Sequence, residues 1–159
     1  MNPAPFDVST TDALVRAMVH QGLTLAQVRD ISPDELEAVY AVLLEALEAG
    51  QLDEAFSHAT LLVTHDPWDR RYHLALAHCL QQQGLHEAAA RFYAQALALE
   101  ATDPLATYRI GECLLAMDER ADAREAFAAA IQLSWIQGEH AAVREAAQRR
   151  LDGLDGLGG

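Results

Sequence analysis

The fold of this chain is decided by a sequence pattern that is clearest in residues 74–89, which read LALAHCLQQQGLHEAA. Residues 40–55 read YAVLLEALEAGQLDEA and residues 108–123 read YRIGECLLAMDERADA, so matching segments begin every 34 positions. Four rows of similar residues keep this phase: Gly50, Gly84 and Asp118; Ala55, Ala89 and Ala123; Val42, Leu76 and Ile110; and Ala46, Leu80 and Leu114. Four rows in phase predict a repeated structural unit.

Thirty-four residues is the period of the tetratricopeptide helix-turn-helix repeat. Glycine and aspartate tolerate the positive φ that ends the first helix of a hairpin, and the alanine row lets the second helix approach it closely. The predicted fold is all-α, with three tetratricopeptide-like hairpins in a right-handed superhelix between N- and C-terminal flanking helices. The expected helices span residues 33–49 and 52–64, 69–83 and 86–100, and 104–117 and 120–134.

The chain is expected to have one folded domain between two flexible ends. Residues 1–10 hold two prolines and small polar residues, which predicts a disordered N-terminus. Residues 11–151 are expected to form one domain, and residues 152–159 to form a flexible tail. Within the domain we expect repeats at about 36–69, 70–103 and 104–137 and a C-terminal helix at 139–151.

Two sequence features precede the first hairpin: a helix with an apolar face and a helix cap. A helix from Thr11 to Gln21 would carry Leu14, Val15 and Met18 on one face, which must pack on the first hairpin or on a second copy of the protein. The segment Ser32-Pro33-Asp34-Glu35 then has a capping serine, a proline at the first helical position and a glutamate that closes a capping box.

The charge balance excludes several classes of partner and enzyme. The 159 residues carry a formal charge of −13, with arginine as the only strongly basic residue type and no lysine. This charge repels phosphate backbones and anionic lipids, so we expect neither a nucleic-acid nor a membrane partner. Without lysine there is no P-loop lysine and no Schiff base.

Neither a metal site nor a catalytic group is predicted. The seven histidines include no pair at the helical i, i+4 spacing, and no serine, histidine and acid form a recognisable set. Cys79 and Cys113 occupy equivalent repeat positions, about 8–10 Å apart on stacked helices, so we expect them to be reduced and structural. We therefore predict no enzyme activity and no cofactor.

A peptide-binding groove is the predicted functional site. The first helices of stacked hairpins line a concave wall. Phase and helical spacing select Glu37, Tyr40, Leu44, Leu47, Arg71, Leu74, His78, Tyr108, Glu112 and Leu115, of which we predict all but Glu37 and Leu115 as groove residues. This mixture suits an extended peptide with apolar anchors, although some of the leucines could instead be core residues. Trp68 and Trp135 are expected to cover hairpin edges, and the alternative is that they contribute to a partner surface.

Several segments together resemble the class II chaperones of bacterial type III secretion systems, which serve the translocator proteins. The resemblance rests on residues 30–40 (DISPDELEAVY), 66–69 (DPWD), 74–79 (LALAHC) and 112–113 (EC). It implies an all-helical cytoplasmic holdase without ATPase activity, which keeps hydrophobic translocators soluble and apart until export. Some members also associate with transcription activators.

The resemblance also implies roles for particular residues. Positions expected to line the client groove match Tyr40, Leu44, Arg71, Leu74 and Tyr108. His78 departs from the small residue usual at its position. The N-terminal helix, with Leu14, Val15 and Met18, matches the usual dimerisation segment, which implies a homodimer. The alternative is an adaptor or scaffold for another protein, but the lysine and asparagine clamp of carboxylate-binding relatives is missing, because the only asparagine is Asn2.

Overall fold

The structure is a computed structural model that describes residues 11–136, 138 and 140–156. Within these residues it is all-α and has no strand, which confirms the predicted fold class. The helices are α1 (Thr11–Gln21), α2 (Leu25–Val28), α3 (Pro33–Glu48), α4 (Leu52–His65), α5 (Arg70–Gln82), α6 (His86–Leu99), α7 (Pro104–Ala116), α8 (Arg120–Ile136) and α9 (Ala141–Gly156). The six predicted hairpin helices are all present, with ends within two residues of prediction. The disorder predicted for residues 1–10 lies outside the described residues.

The helices fall into two compact units. Unit 1, residues 11–68, holds α1 to α4, and unit 2, residues 69–156, holds α5 to α9. The prediction of one domain over residues 11–151 stays a prediction.

Unit 1 is built around the hairpin of α3 and α4. Ser32 caps α3 by accepting a hydrogen bond from the Glu35 backbone N–H at 3.2 Å, and the Glu35 carboxylate accepts one from the Ser32 backbone N–H at 2.8 Å, which completes the predicted capping box. Gly50 ends the hairpin's first helix with φ +70°. Leu43, Ala59 and Leu62 are fully buried between the helices.

Unit 2 contains the hairpins α5/α6 and α7/α8, with α9 packed on α8 and α7. The turns contain Gly84 with φ +76° and Asp118 with φ +61°, as the sequence predicts. Gly111 of α7 lies so close to Phe127 of α8 that an added Cβ would be 2.7 Å from the Phe127 Cε1 atom. Phe127 also stacks at a tilt on Tyr108, with 5.5 Å between ring centroids.

Two predictions about the surface and the C-terminus need correction. Helix α9 continues to Gly156, so residues 152–156 are not a flexible tail; residues 157–159 lie outside the described residues. The extension is held by the buried side chain of Leu154 and by an ion pair between Arg124 and Asp155. Trp68 and Trp135 are 67% and 66% exposed, which argues against the packing role, and the Trp135 ring lies 3.9 Å from the Arg144 guanidinium.

Candidate functional site

In unit 1 the predicted site residues lie along α3. Leu44 is 41% exposed, and Tyr40 and Leu47 are half-buried. Leu43, the preceding residue, is fully buried against the hairpin, and its side chain points about 100° away from that of Leu44 around the helix. Leu44 is therefore available for contact with another molecule, while Leu43 holds the hairpin together.

In unit 2, α5 and α7 border a cavity of about 190 Å³, which we call the unit 2 cavity. Its lining consists of Leu74, His78, Tyr93, Asp103, Leu105, Ala106 and Arg109. Leu74 and Leu105 supply apolar surface that remains partly accessible. The cavity is large enough for one medium-sized side chain and too small for a typical cofactor.

The polar groups at the cavity's edge are held by local ion pairs. Asp103 caps α7 by accepting a hydrogen bond from the Ala106 N–H at 3.0 Å, and its other carboxylate oxygen pairs with Arg70. Asp69 caps α5 and binds the Arg71 guanidinium, whose Nη2 lies 2.6 Å from Asp69 Oδ2. The predicted groove residue Arg71 is thus oriented by its own helix cap.

Glu112 is the centre of a hydrogen-bond network beside the cavity. Its carboxylate accepts hydrogen bonds from Arg109 Nη1 at 2.8 Å, Arg150 Nη2 at 2.9 Å and the Tyr108 hydroxyl at 3.0 Å. Gln81 Nε2 also approaches it at 3.3 Å, while Gln81 Oε1 accepts a hydrogen bond from Tyr93 at 2.9 Å. The network links α5, α6, α7 and α9 through side chains alone.

The pKa shifts agree with these environments. Burial acts to raise the pKa of Glu112, but hydrogen bonds from Arg109, Arg150 and Tyr108 outweigh it and hold the pKa below its usual value. Burial lowers the pKa of His78, and the nearby positive charge of Arg109 lowers it further. Glu112 is therefore charged and His78 uncharged at neutral pH.

The structure brings only some of the predicted unit 2 residues together. Leu74 and His78 share the cavity, and Glu112 reaches it through Arg109. Tyr108 is only 9% exposed and belongs to the core with Phe127, so its hydroxyl is the part that contributes to the polar network.

Three contributors were missed from sequence. Leu105 stands 34 positions after Arg71, so the repeat phase itself pointed to it. Arg109 lies one helical turn after Leu105. The residue 34 positions before it is Ala75, which is apolar, so the repeat did not indicate a charged group at this position. Arg150 lies on α9, outside the repeats, so no periodicity could have associated it with Glu112.

Other chemistry has little support in the described part of the chain. No group of three or more histidine, cysteine, aspartate or glutamate side chains that could hold a metal ion occurs among these residues. Cys79 and Cys113 are free and fully buried, as predicted, and burial raises the pKa of the Cys113 thiol to about 11. Among the described helices, none combines the length and apolar character needed to span a membrane.

Comparison with known proteins agrees with this helical-repeat architecture. A family model described as the bacterial transcriptional activator domain matches residues 11–109. The chaperone protein SicA of Salmonella typhimurium is 32% identical over 109 residues, which are 69% of this chain and 66% of SicA.

Solved structures extend the similarity over most of the chain. A type III secretion complex from Aeromonas hydrophila matches with a TM-score of 0.84 and 28% identity over 91% of this chain and 96% of that chain. PcrH of Pseudomonas aeruginosa, in complex with the chaperone binding region of PopB, matches with a TM-score of 0.72 and 31% identity over 76% and 97%. SycD of Yersinia enterocolitica, in complex with a peptide of the translocator YopD, matches with a TM-score of 0.75 and 25% identity over 79% and 95%.

These matches define the class as helical-repeat domains that bind other proteins. The chain belongs to the type III secretion translocator chaperones, and its residues 11–109 belong to the domain family that the matching model describes. The family resemblance drawn from the sequence is confirmed.

Proposed function

We propose that this chain is a chaperone that binds hydrophobic translocator proteins of a type III secretion system and keeps them soluble and apart until export. The observation that carries the proposal is the similarity to PcrH and SycD, whose structures hold segments of PopB and YopD. A chaperone of this kind acts by mass action, because binding the unassembled client removes it from aggregation. We further propose that it acts in the cytoplasm, before export.

The client-binding residues that we propose are the sequence-derived set, taken unit by unit. In unit 1 they are Tyr40, Leu44 and Leu47 of α3, and in unit 2 they are Arg71, Leu74, His78, Tyr108 and Glu112. Support comes from the exposure of Leu44 and from the accessible apolar walls of the unit 2 cavity. Partly exposed leucines beside polar groups favour reversible binding, since only modest apolar area is buried with each contact.

We propose that binding and release require neither ATP nor any chemical step. The lack of lysine supports this, because nucleotide-binding P-loops depend on a lysine that contacts the phosphates. Client release in vitro at the same rate with and without added ATP is the expected result. ATP-dependent release, or ATP hydrolysis by the purified protein, would contradict it.

The test of client binding uses matched leucine substitutions. The client is first identified by affinity capture from secreting cells, and the translocator is then co-expressed with each variant. Leu44→Glu and Leu61→Glu form a matched pair, because both leucines are 41% exposed and both belong to unit 1, on α3 and α4 respectively. Leu44→Glu, like Tyr40→Glu and Leu74→Glu, is expected to lose the client while Leu61→Glu retains it. Equal recovery with all folded variants would reject the proposed residues.

We also propose that the chain forms a homodimer through α1. SycD has been solved in an alternative dimer, which supports self-association in this family. Met18 of α1 is half-buried, while the side chains of Leu14 and Val15 lie outside the described residues. Leu14→Asp with Met18→Asp is expected to halve the mass measured by light scattering. His20→Asp, an exposed position on the same helix, is the control; an unchanged mass in the double variant would exclude α1 from the interface.

A second candidate function is an adaptor role with a regulatory protein. The match of residues 11–109 to the bacterial transcriptional activator domain favours it, because that domain family occurs in regulators by its own description. Contact with DNA itself is disfavoured by the formal charge of −13. Co-purification of a transcription activator that competes with the client would support this role, and its absence from all captures would count against it.

A further inference from the structure

The unit 2 cavity combines an apolar wall with the guanidinium group of Arg109. Leu74 and Leu105 form the apolar part, and Arg109 stands at the edge. Such an edge differs from the chain as a whole, whose formal charge is −13. What the cavity binds therefore depends on which hydrogen-bond donors of Arg109 its neighbours leave free.

The acidic and basic side chains around the cavity form two groups of ion pairs. Asp103 also lines the cavity, caps α7 and pairs with Arg70, whose Nε atom also lies 3.3 Å from a carboxylate oxygen of Glu100. The single carboxylate of Glu112 is shared by two guanidinium groups, Arg109 on one oxygen at 2.8 Å and Arg150 on the other at 2.9 Å. The Glu112 group has one more cation than anion and the Arg70 group has one more anion than cation, so the charges balance over both groups and Arg109 is the positive end of the cavity.

Arg109 also keeps hydrogen-bonding capacity. A guanidinium has five N–H donors in a planar fork, and one nitrogen of Arg109 is used by Glu112. The side chain is about one-third exposed, so a ligand in the cavity can reach it. Its charge acts on the cavity walls, since it lowers the pKa of His78 beyond the effect of burial and opposes the burial-driven rise in the pKa of Tyr93.

His78 adds no competing charge, because its lowered pKa keeps it neutral at pH 7. A ligand with only an aliphatic side chain would satisfy Leu74 and Leu105 and leave the Arg109 fork to water. A ligand with an aliphatic side chain and a nearby carboxylate would satisfy both. The attraction would add specificity more than affinity, because Arg109 is partly solvated.

We propose that the unit 2 cavity selects client segments that carry an aspartate or glutamate close to an aliphatic anchor residue, with Arg109 as the residue that binds the carboxylate. This inference rests on the proposed function, because it takes the cavity to be a client-binding site. Glu112 and Arg150 act as positioning residues: the shared carboxylate holds the Arg109 side chain at the cavity edge.

The test uses the full-length protein and short synthetic peptides with one central leucine. Each peptide carries glutamate, glutamine or lysine at one position near the leucine, and a second set has the leucine replaced by serine. For at least one position we expect the glutamate peptide to bind about three- to tenfold more tightly than the glutamine peptide, and the lysine peptide to bind most weakly. The preference should shrink as salt is raised.

Three variants assign the preference to Arg109. Arg109→Met is expected to bind the glutamate and glutamine peptides equally while keeping the leucine dependence. Arg109→Lys retains the charge and should restore part of the preference, which a purely structural role would not do. Arg91→Met removes an exposed arginine of α6, paired only with its helical neighbour Glu87 among the described contacts, and should change nothing.

The outcomes separate the two proposals. Leucine-dependent binding without a glutamate preference, or a preference that survives in Arg109→Met, overturns the inference and leaves the chaperone function standing. Binding that does not depend on the leucine in any peptide overturns client binding by this cavity, and the acidic specificity falls with it. Thermal melting of each variant shows whether a lost preference comes from loss of the fold.

Discussion

The first hairpin of the chain and the two that follow place their large and small core residues on opposite helices. In the α3/α4 hairpin the first helix supplies Leu43 and the second supplies Ala59. In the second and third hairpins the first helix supplies Ala77 or Gly111, and the second helix supplies Tyr93 or Phe127. All six residues are buried.

The difference indicates that summed volume, and not residue identity, is kept between paired helices. At the third hairpin the contact is direct, since Phe127 fills the space that a Cβ at Gly111 would need. A large residue on either helix works as long as its partner is small, because core packing tolerates swaps that conserve volume. Changing one member of a pair should therefore destabilise its hairpin, and exchanging both should restore part of the stability.

The largest effect is expected from Phe127→Ala in unit 2. Removing this fully buried ring should lower the free energy of unfolding by about 3–5 kcal/mol, measured by chemical denaturation. The variant with both Gly111→Leu and Phe127→Ala copies the volume order of the first hairpin and should recover part of the loss. A double variant no more stable than Phe127→Ala would contradict the idea that either helix can supply the large residue.

The residue that follows the first member of each pair is Leu44, His78 or Glu112 in the three hairpins. Of these three, only Glu112 is hydrogen-bonded to charged side chains. Glu112→Gln should therefore lower the free energy of unfolding by about 1.5–3 kcal/mol at pH 7. Because the pKa of Glu112 is lowered on folding, this stabilisation is present above the ordinary glutamate pKa and is lost as the pH falls through the lower, folded-state value.

The direction of this pH dependence can be checked by measuring the free energy of unfolding of the unmodified protein and of Glu112→Gln from pH 7 downward. The difference between them should narrow below a pH of about 4.5, the ordinary glutamate value. Glu87→Gln removes an exposed carboxylate from an i, i+4 pair with Arg91 and should have little effect at any pH. A Glu112→Gln deficit that persists unchanged in acid would mean that the network depends on shape and not on charge.

The repeats could be predicted because every hairpin repeats the same local requirements. Gly50, Gly84 and Asp118 marked the turns by backbone conformation, and Ser32 and Glu35 marked the start of α3 by a cap. These signals act within a few residues. The extension of α9 to Gly156 was missed because two glycines weaken helix propensity, while the burial of Leu154 that offsets them is a tertiary contact.

The candidate site was less predictable than the fold. Phase selected Leu74 and His78, which do line the unit 2 cavity, because both depend on position along one helix. Arg150 gains its role only through Glu112, from a helix outside the repeats, whereas Arg109 also lines the cavity directly at a position where the preceding repeat has an alanine. Tyr108 shares the phase of Leu74 but is buried, since α9 and Phe127 pack around it in a way that the earlier hairpin does not reproduce.

A smaller effect is expected from Gly111→Ala, which adds a single methyl group between Gly111 and Phe127. The new Cβ would lie 2.7 Å from the Phe127 Cε1 atom, so the ring must shift, at a cost of about 1–3 kcal/mol. Gly153→Ala is the matched control, because that glycine is also helical and no atom lies within 4 Å of an added Cβ. It should be neutral or stabilising by up to about 1 kcal/mol. Equal effects in the two variants would show that the Phe127 contact is not limiting.

The smallest effects are expected from substitutions in the turns of the three hairpins. Gly50 and Gly84 have φ of +70° and +76° with no atom near an added Cβ, so Gly50→Ala and Gly84→Ala should each cost about 1–2 kcal/mol through backbone strain alone. Asp118, with φ +61°, already carries a Cβ, so Asp118→Ala should cost less and Asp118→Gly should stabilise the fold. If Asp118→Ala proved as costly as Gly84→Ala, the aspartate side chain, whose carboxylate lies 2.8 Å from Arg120 Nε, would be supporting the turn in place of glycine's conformational freedom.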